Sequence, residues 1–265
     1  MRFLMSRRVA TLLTRQANKT FAGSKTCMAA PAMAMAMNYT SLDATNHFSK
    51  LSKETYWKQF YKQQRQDSPA PPNTNFEWLM SYEVLKPFVL PLMPKTPYRL
   101  LDIGCGVSTL SIDLCMDSPA PSESLCIDIS HDALLTLQEK LRKVHLQQGS
   151  KIDFLQADAL NMPIQSGSMD VVIDKGTLDS FLKDEDRDRA HTRAMQLYKE
   201  SLRVLKPTGC LIQITDEDPA LRMAILNPFP CKDPVFSDLK VNYRIIEGEQ
   251  TGDHEYFVYT IRKRN

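Results

Sequence analysis

Short apolar strand patterns alternate with helical patterns along residues 98–215, and this alternation limits the possible folds more than any other feature. A chain of this kind folds as a mostly parallel sheet, because each helix carries the chain back to begin the next strand. Two later segments alternate apolar and polar residues and predict an antiparallel hairpin at one edge. The sequence therefore predicts an α/β fold: a seven-stranded, mostly parallel sheet with helices on both faces. The predicted strands are residues 98–103, 124–129, 151–155, 169–174, 210–215, 239–247 and 255–262.

Helices are predicted where apolar residues recur at three- and four-residue intervals. Two precede the first strand, and Pro87 and Pro91 should kink or shorten the second of them. Ser130 can cap the helix that follows the second strand. The predicted helices are residues 54–64, 79–92, 107–116, 131–141 and 186–205.

The N-terminal residues 1–42 differ in charge from the rest of the chain. They contain six of the 33 basic residues and none of the 31 acidic ones. An acid-free, arginine-containing amphipathic start is typical of a mitochondrial transit peptide, whereas a secretory signal needs an apolar core that Arg7, Arg8 and Arg15 interrupt here. We therefore expect residues 1–42 to be a transit peptide and disordered linker, and the protein to reside in the mitochondrial matrix.

Several classes of partner are disfavoured by composition. Outside residues 1–42 the chain is mildly acidic, so no nucleic-acid partner is expected. Residues 28–37 form the longest apolar stretch, about half of the roughly 20 residues that a membrane helix needs, so no membrane span is expected. None of the six cysteines forms a CxxC pair and the five histidines are scattered, so no metal site is predicted.

Acidic residues close the first three predicted strands, where a sheet of this kind binds its ligands. Asp102 precedes Gly104 and Gly106, whose missing Cβ atoms let the backbone approach a ligand. Asp128 is suitably placed to accept hydrogen bonds from ribose hydroxyls, and Asp158 could accept one from an adenine amino group. The set suits a nucleoside with an amino-acid end and no phosphates. S-adenosylmethionine fits, since its sulfonium cation suits carboxylates and aromatic faces.

Each of these features has a plainer interpretation when it is taken alone. The two glycines could form an ordinary strand–helix turn, and Asp128 could be a charge at a helix N-terminus before Ser130. A nicotinamide-dependent oxidoreductase is a competing interpretation, but its GxGxxG fingerprint requires a third glycine where Thr109 stands.

Five segments carry a resemblance to a known family. LDIGCG at residues 101–106, CIDIS at 126–130 and QADAL at 156–160 resemble the motifs of seven-β-strand S-adenosylmethionine-dependent methyltransferases. MDVVIDKGTLD at 169–179 resembles the lysine methyltransferases that modify translation elongation factor and citrate synthase. LIQITDEDPALR at 211–222, with the predicted transit peptide, is most similar to the mitochondrial branch of that group. Ser108 is a departure, because many family members have a third glycine there.

The resemblance implies a Rossmann-like fold and S-adenosylmethionine as the cofactor. It also implies that residues 43–97 form a helical cofactor lid on a methyltransferase domain of residues 98–265, the two being one globular unit. The lid also carries an aromatic pattern that resembles the same group, formed by Tyr56, Trp57, Tyr61, Phe76 and Trp78. These aromatic residues would close over the cofactor, although core packing is the plainer interpretation of large aromatic side chains. The predicted cofactor-binding residues are Trp57, Tyr61, Trp78, Asp102, Gly104, Gly106, Asp128, Ile129, Asp158, Ala159 and Lys175.

For the activity, the resemblance implies a protein-lysine N-methyltransferase whose partner is a protein substrate, citrate synthase. Another protein or a small molecule as acceptor stays an alternative, as does a non-catalytic scaffold with the same fold. Asp174, Asp179 and Asp216 lie at or after the ends of the fourth and fifth predicted strands. We predict that these three carboxylates position the substrate lysine, with an exposed acidic loop as the plainer interpretation of residues 216–218.

Overall fold

The computed structural model describes residues 49–66, 76–226, 236, 238–247 and 254–264. The predicted transit peptide and linker, residues 1–42, and the first residues of the predicted lid lie outside the described residues. Within the described ranges, no helix combines the length and the apolar character needed to cross a membrane.

Seven strands form one sheet in the order β3-β2-β1-β4-β5-β7-β6, which confirms the predicted α/β sheet with its antiparallel edge. The strands are β1 Tyr98–Ile103, β2 Ser122–Asp128, β3 Lys151–Gln156, β4 Met169–Lys175, β5 Leu205–Thr215, β6 Leu239–Ile246 and β7 Tyr256–Lys263. Strands β1 to β5 pair in parallel, whereas β7 runs antiparallel to both β5 and β6. The order reverses between β1 and β4, and an open α/β sheet forms its ligand crevice at the carboxyl ends of such strands.

Among the described residues, the five predicted helices are present with differences at their ends, and the helices Thr177–Leu182 and Pro219–Leu226 were not predicted. The helix predicted at residues 107–116 begins only at Leu110, because a turn around Gly104 and Gly106 precedes it. The helix predicted at residues 79–92 begins only at Tyr82, ends at Val89 and continues as a short 3₁₀ turn that contains Pro91, a residue without a backbone N–H. Strand β5 begins at Leu205 rather than at residue 210. The helices are α1 Glu54–Gln66, α2 Tyr82–Val89, α3 Leu110–Asp117, α4 His131–Leu141, α5 Thr177–Leu182, α6 Arg187–Val204 and α7 Pro219–Leu226.

Apolar side chains cover both faces of the central strands. On β1, Leu100 and Leu101 are both 0% exposed and belong to different clusters. Leu101 shares its cluster with Leu197 of α6, and Leu100 shares the other with Leu85 of α2. Burying a leucine completely stabilises the fold by about 1.5–3 kcal/mol. These two layers hold the strand ends in a fixed register, and the ligand crevice depends on that register.

Candidate active site

A cavity opens at the carboxyl ends of β1, β2 and β4, at the point where the strand order reverses, and it encloses about 1000 Å³ counted out to its mouth. Its walls contain every residue that the sequence predicted to bind a cofactor, and α1, Phe76 and Trp78 contribute to one side. The predicted residues on its walls are Trp57, Tyr61, Trp78, Asp102, Gly104, Gly106, Asp128, Ile129, Asp158, Ala159 and Lys175.

The turn after β1 forms the floor of the cavity. Gly104 has φ +61° and Gly106 has φ +54°, values in the left-handed region that glycine adopts most easily. Asp128 at the end of β2 fixes this turn, because its Oδ2 accepts a hydrogen bond from the Gly106 N–H at 2.8 Å. Its Oδ1 accepts one from the Ser130 N–H at 2.7 Å, and the Ser130 hydroxyl caps α4 as predicted.

Two carboxyl groups on the cavity wall are held away from water. Asp102 is 2% exposed and accepts a hydrogen bond from the Ser111 hydroxyl at 2.7 Å, and Asp128 is 6% exposed. Burial raises the pKa of Asp102 to about 6, and it raises the pKa of Asp128 to about 6 as well. Burial disfavours the ionised forms, so a cation or hydroxyl donors bound beside these groups would relieve that cost.

Aromatic rings from the N-terminal segment cover the cavity, and we call Trp57, Tyr61, Phe76 and Trp78 the aromatic roof. The Trp57 and Trp78 rings meet edge to face with centroids 5.6 Å apart. The roof contacts the floor closely, since a Cβ added to Gly106 would lie 2.5 Å from the Tyr61 hydroxyl oxygen. The indole Nε1 of Trp78 is buried and has no hydrogen-bond partner among the described residues.

At the far end of the cavity, the loop after β3 faces α5 and α6. Asp158 is exposed, and its Oδ1 accepts a hydrogen bond from the Leu160 N–H at 2.8 Å. Phe181 of α5 lies beneath the Arg193 guanidinium, whose carbon is 4.1 Å from the ring centroid. Arg193 also donates a hydrogen bond to the Ser52 carbonyl at 2.7 Å, and this contact fastens the start of the N-terminal segment to α6.

Sequence reasoning missed several residues on the cavity walls. Most of them lie on helices or loops far from the glycine turn in sequence, where an ordinary apolar or charged side chain gives no signal of its own. Gly176 was detectable, because a glycine directly after a strand end indicates a close approach. The missed residues are Ser52, Glu54, Cys105, Val107, Ser108, Ala157, Gly176, Thr177, Ser180, Phe181 and Arg193.

The residues present fit S-adenosylmethionine on three observations. The buried Asp102 and Asp128 carboxyl groups suit a cationic ligand with hydroxyl groups. The unpaired indole N–H of Trp78 can donate to a carboxylate. The aromatic roof presents ring faces and edges, and ring faces attract a sulfonium cation.

The three carboxylates predicted to position a substrate lysine lie elsewhere, since the described residues that line the cavity do not include them. Asp174 is 2% exposed, and burial raises its pKa to about 6. Its oxygens accept hydrogen bonds from the Thr177 N–H at 2.9 Å and the Gln213 side-chain amide at 2.8 Å. Asp174 is therefore buried, and its acceptor sites are occupied by the start of α5 and by β5, so its role in positioning the substrate lysine stays a prediction.

Asp179 is likewise interior, at 3% exposure, and forms an ion pair with Arg222 of α7, which is 0% exposed. Although burial works against the charged form, the Asp179 carboxylate helps to hold the pKa of Arg222 above its usual value. Nε and Nη1 of Arg222 are buried without a hydrogen-bond partner among the described residues. Asp216 is half-buried after β5, and burial raises the pKa of its carboxyl group.

A family model described as a methyltransferase domain matches residues 94–254, which is more than half of the chain. The chain therefore belongs to the methyltransferase domain family, and S-adenosylmethionine is its methyl donor.

Two relatives are similar to this chain in sequence, and one solved structure is similar to it in fold. The mitochondrial citrate synthase-lysine N-methyltransferase of Danio rerio is 30% identical over 226 residues, covering 81% of this chain and 85% of that protein. The Homo sapiens protein of the same name is 34% identical over 191 residues, covering 67% of this chain and 76% of that one. A crystal structure of an S-adenosylmethionine-dependent methyltransferase from Methanosarcina mazei shares the fold, with a TM-score of 0.51, 20% identity, and coverage of 68% of this chain and 98% of that one.

Proposed function

We propose that this enzyme is a protein-lysine N-methyltransferase and that its substrate is mitochondrial citrate synthase. The observation that carries the proposal is the similarity to two proteins named citrate synthase-lysine N-methyltransferase. The similarity to the Danio rerio protein covers more of the chain than the methyltransferase domain match does. The acid-free, basic residues 1–42 support a mitochondrial location, which we propose to be the matrix.

We further propose that the eleven predicted residues on the cavity walls bind the cofactor. The ribose, the adenine and the methionine end would each lie at the ends of different strands. Asp128 and Ile129 would hold the ribose, because the Asp128 carboxylate is a strong acceptor at the end of β2. Asp158 and Ala159 would contact the adenine. Asp102 and Lys175 carry opposite charges that suit the ammonium and carboxylate groups of the methionine end.

When bound, S-adenosylmethionine supplies a methyl group already activated by the sulfonium charge. The protein's contribution is then chiefly to hold the acceptor amine in line with that methyl group. A lysine amine has a pKa of about 10.4 in water and must lose its proton before it attacks. Burial beside the aromatic roof favours that loss, since burial disfavours the charged ammonium, and solvent water takes the proton as the lysine enters.

We also propose that Asp174, Asp179 and Asp216 position the substrate lysine. Asp216 is the carboxylate open to the lysine, and Asp174 and Asp179 support it from the protein interior. Asp216 is half-buried beside the end of β5 and keeps part of its surface open. Asp174 supports the neighbouring start of α5, and Asp179 ties α5 to α7 through Arg222.

Intact-mass measurement on purified citrate synthase tests the proposed activity. After incubation with the enzyme and S-adenosylmethionine, the mass should rise in steps of one methyl group, and peptide mapping should place the addition on a lysine. Elongation factor serves as the comparison substrate. If calorimetry records cofactor binding while citrate synthase gains no methyl group, the proposed substrate is wrong and the methyltransferase assignment stands.

The role of Asp216 is tested by replacing it with asparagine, with Asp218→Asn as the matched control. Asp218 is exposed and its Oδ1 accepts a hydrogen bond from the Ala220 N–H, an interaction that asparagine retains. We expect D216N to lower kcat on citrate synthase while the affinity for S-adenosylmethionine stays unchanged. Equal turnover of D216N and D218N would remove Asp216 from the reaction.

A further inference from the structure

Three segments of the chain meet at the carboxylate of Glu77, just before α2. Glu77 Oε1 accepts a hydrogen bond from the Ser108 hydroxyl at 2.6 Å, which comes from the turn after β1. It also accepts one from the Lys175 ammonium, at the end of β4. The same ammonium donates to the Trp78 carbonyl at 2.8 Å. One carboxylate therefore joins the N-terminal segment to the turn after β1 and to the end of β4.

This ion pair is largely removed from water. The Lys175 side chain is 5% exposed and that of Glu77 is 21% exposed. Removing one partner of such a pair leaves a buried charge without compensation, which is costly. Glu77 also neutralises an ammonium group on the wall of a cavity proposed for a cationic ligand. Loss of Glu77 would therefore disturb the geometry and the electrostatics of the cavity together.

The backbone next to Glu77 is held in an unusual conformation. Leu79 has φ +66°, a value that costs energy for a residue with a side chain and persists where surrounding contacts enforce it. The Met80 N–H donates a hydrogen bond to the Trp78 carbonyl at 2.9 Å, the same carbonyl that Lys175 contacts. The Trp78 ring lies so close to Gly176 that a Cβ there would be 2.5 Å from the indole nitrogen. These contacts hold residues 77–80 in one conformation above the cavity.

We propose that Glu77 is a positioning residue that fastens the aromatic roof over the cofactor. The described residues that line the cavity do not include Glu77, so it acts through Ser108, Lys175 and Trp78. The inference rests on the assignment of this cavity to the cofactor. It predicts that the roof closes correctly only while the carboxylate holds both strand ends.

The test replaces Glu77 with glutamine and compares it with Glu83→Gln, the same chemical change at an exposed position of α2. The readouts are the dissociation constants for S-adenosylmethionine and S-adenosylhomocysteine, by calorimetry, and quenching of tryptophan fluorescence by acrylamide. The fluorescence reports on the roof alone, because the chain's two tryptophans, Trp57 and Trp78, both belong to it.

We expect E77Q to weaken the binding of both nucleosides about tenfold or more, since it removes a hydrogen-bonded charge partner. We also expect quenching in ligand-free E77Q to increase, while E83Q behaves like the wild type. Wild-type affinity and wild-type quenching in E77Q would overturn the proposal. If E77Q bound S-adenosylmethionine more weakly but S-adenosylhomocysteine normally, Glu77 would interact directly with the sulfonium charge. That result would also contradict a positioning role.

A second variant covers the case in which E77Q does not fold. Ser108→Ala removes one of the two hydrogen bonds to Glu77 and keeps the ion pair. We expect a smaller loss of affinity for both nucleosides than in E77Q, and unchanged binding and quenching in S108A would refute the inference. Should the wild-type protein bind neither nucleoside, the cavity assignment itself fails and this inference fails with it.

Discussion

Replacing Gly104 with alanine should destabilise the protein far more than the same change at another glycine of similar backbone conformation. A Cβ at Gly104 would overlap Oγ1 of Thr177 and lie 3.0 Å from its Cγ2 and 3.1 Å from its Cβ. Rotating the side chain cannot clear this overlap, because threonine is branched at Cβ and its own Cβ is already too near. The turn after β1 and the start of α5 must therefore move apart.

The expected cost combines three contributions. The left-handed backbone at Gly104 costs about 1–2 kcal/mol for any residue with a Cβ. Forcing a side chain into a packed space adds about 1–3 kcal/mol. Displacing Thr177 also weakens its hydrogen bond to the Ile103 carbonyl, now 2.9 Å, which is worth about 1 kcal/mol. Gly167→Ala is the matched control, since Gly167 has φ +64° and no atom of the described residues lies within 4 Å of its added Cβ.

Urea unfolding of the two variants measures the difference. We expect G104A to lose about 2–4 kcal/mol more than G167A, the sum of the packing and hydrogen-bond costs. In a chain of this size, each kcal/mol lowers the melting temperature by about 2–4 °C. Adding Thr177→Ala to G104A should recover part of the loss, because Oγ1 and Cγ2 are then absent and only the Cβ contact remains. If G104A and G167A lose equal stability, the inference that Gly104 is needed for the close contact between this turn and α5 is wrong.

Three further expectations concern the site and its supports. Affinity for S-adenosylmethionine should fall as the pH drops below about 6, because Asp102 and Asp128 have pKa values of about 6 and lose their negative charge on protonation. A dissociation constant that does not change between pH 5 and 8 would contradict this expectation. Arg222→Met should cost about 3–5 kcal/mol in urea unfolding by stranding the buried Asp179 carboxylate, and D179L/R222M should cost less; the reverse order would show that the ion pair is not the cause. Ser130→Ala should cost about 1 kcal/mol through loss of the α4 cap, and S130T, which keeps the hydroxyl, should cost less; equal losses would exclude the cap as the cause.

Much of the fold could be predicted because its signals are local. Strand β1 is a short segment in which four of six residues are apolar or aromatic, and the capping role of Ser130 follows from its place directly before a helix. Boundaries were less predictable. Helix α3 starts at Leu110 because of the turn before it, and the 3₁₀ turn after Val89 depends on Pro91 and on how α2 packs.

The residues of the candidate site likewise include some that the sequence could predict and some that it could not. Asp102, Gly104 and Asp128 were detectable, because each stands at a strand end and carboxyl ends of parallel strands meet at one edge. Phe181, Arg193 and Glu77 were not, because their importance comes from contacts with residues far along the chain.

The sequence by itself determined the α/β sheet, the glycine turn and the carboxylates at the strand ends. Each of these depends on neighbouring residues, because the spacing of apolar residues, the turn residues and the strand ends are all local features. Only the tertiary structure decided that Asp174 and Asp179 point inward and that Glu77 meets Lys175 across 98 residues. Burial and ion pairing depend on which distant segments pack together, and no local pattern encodes that choice. For the same reason, the half-buried state of Asp216 depends on how β5 and α7 pack around it and could not be predicted from the sequence.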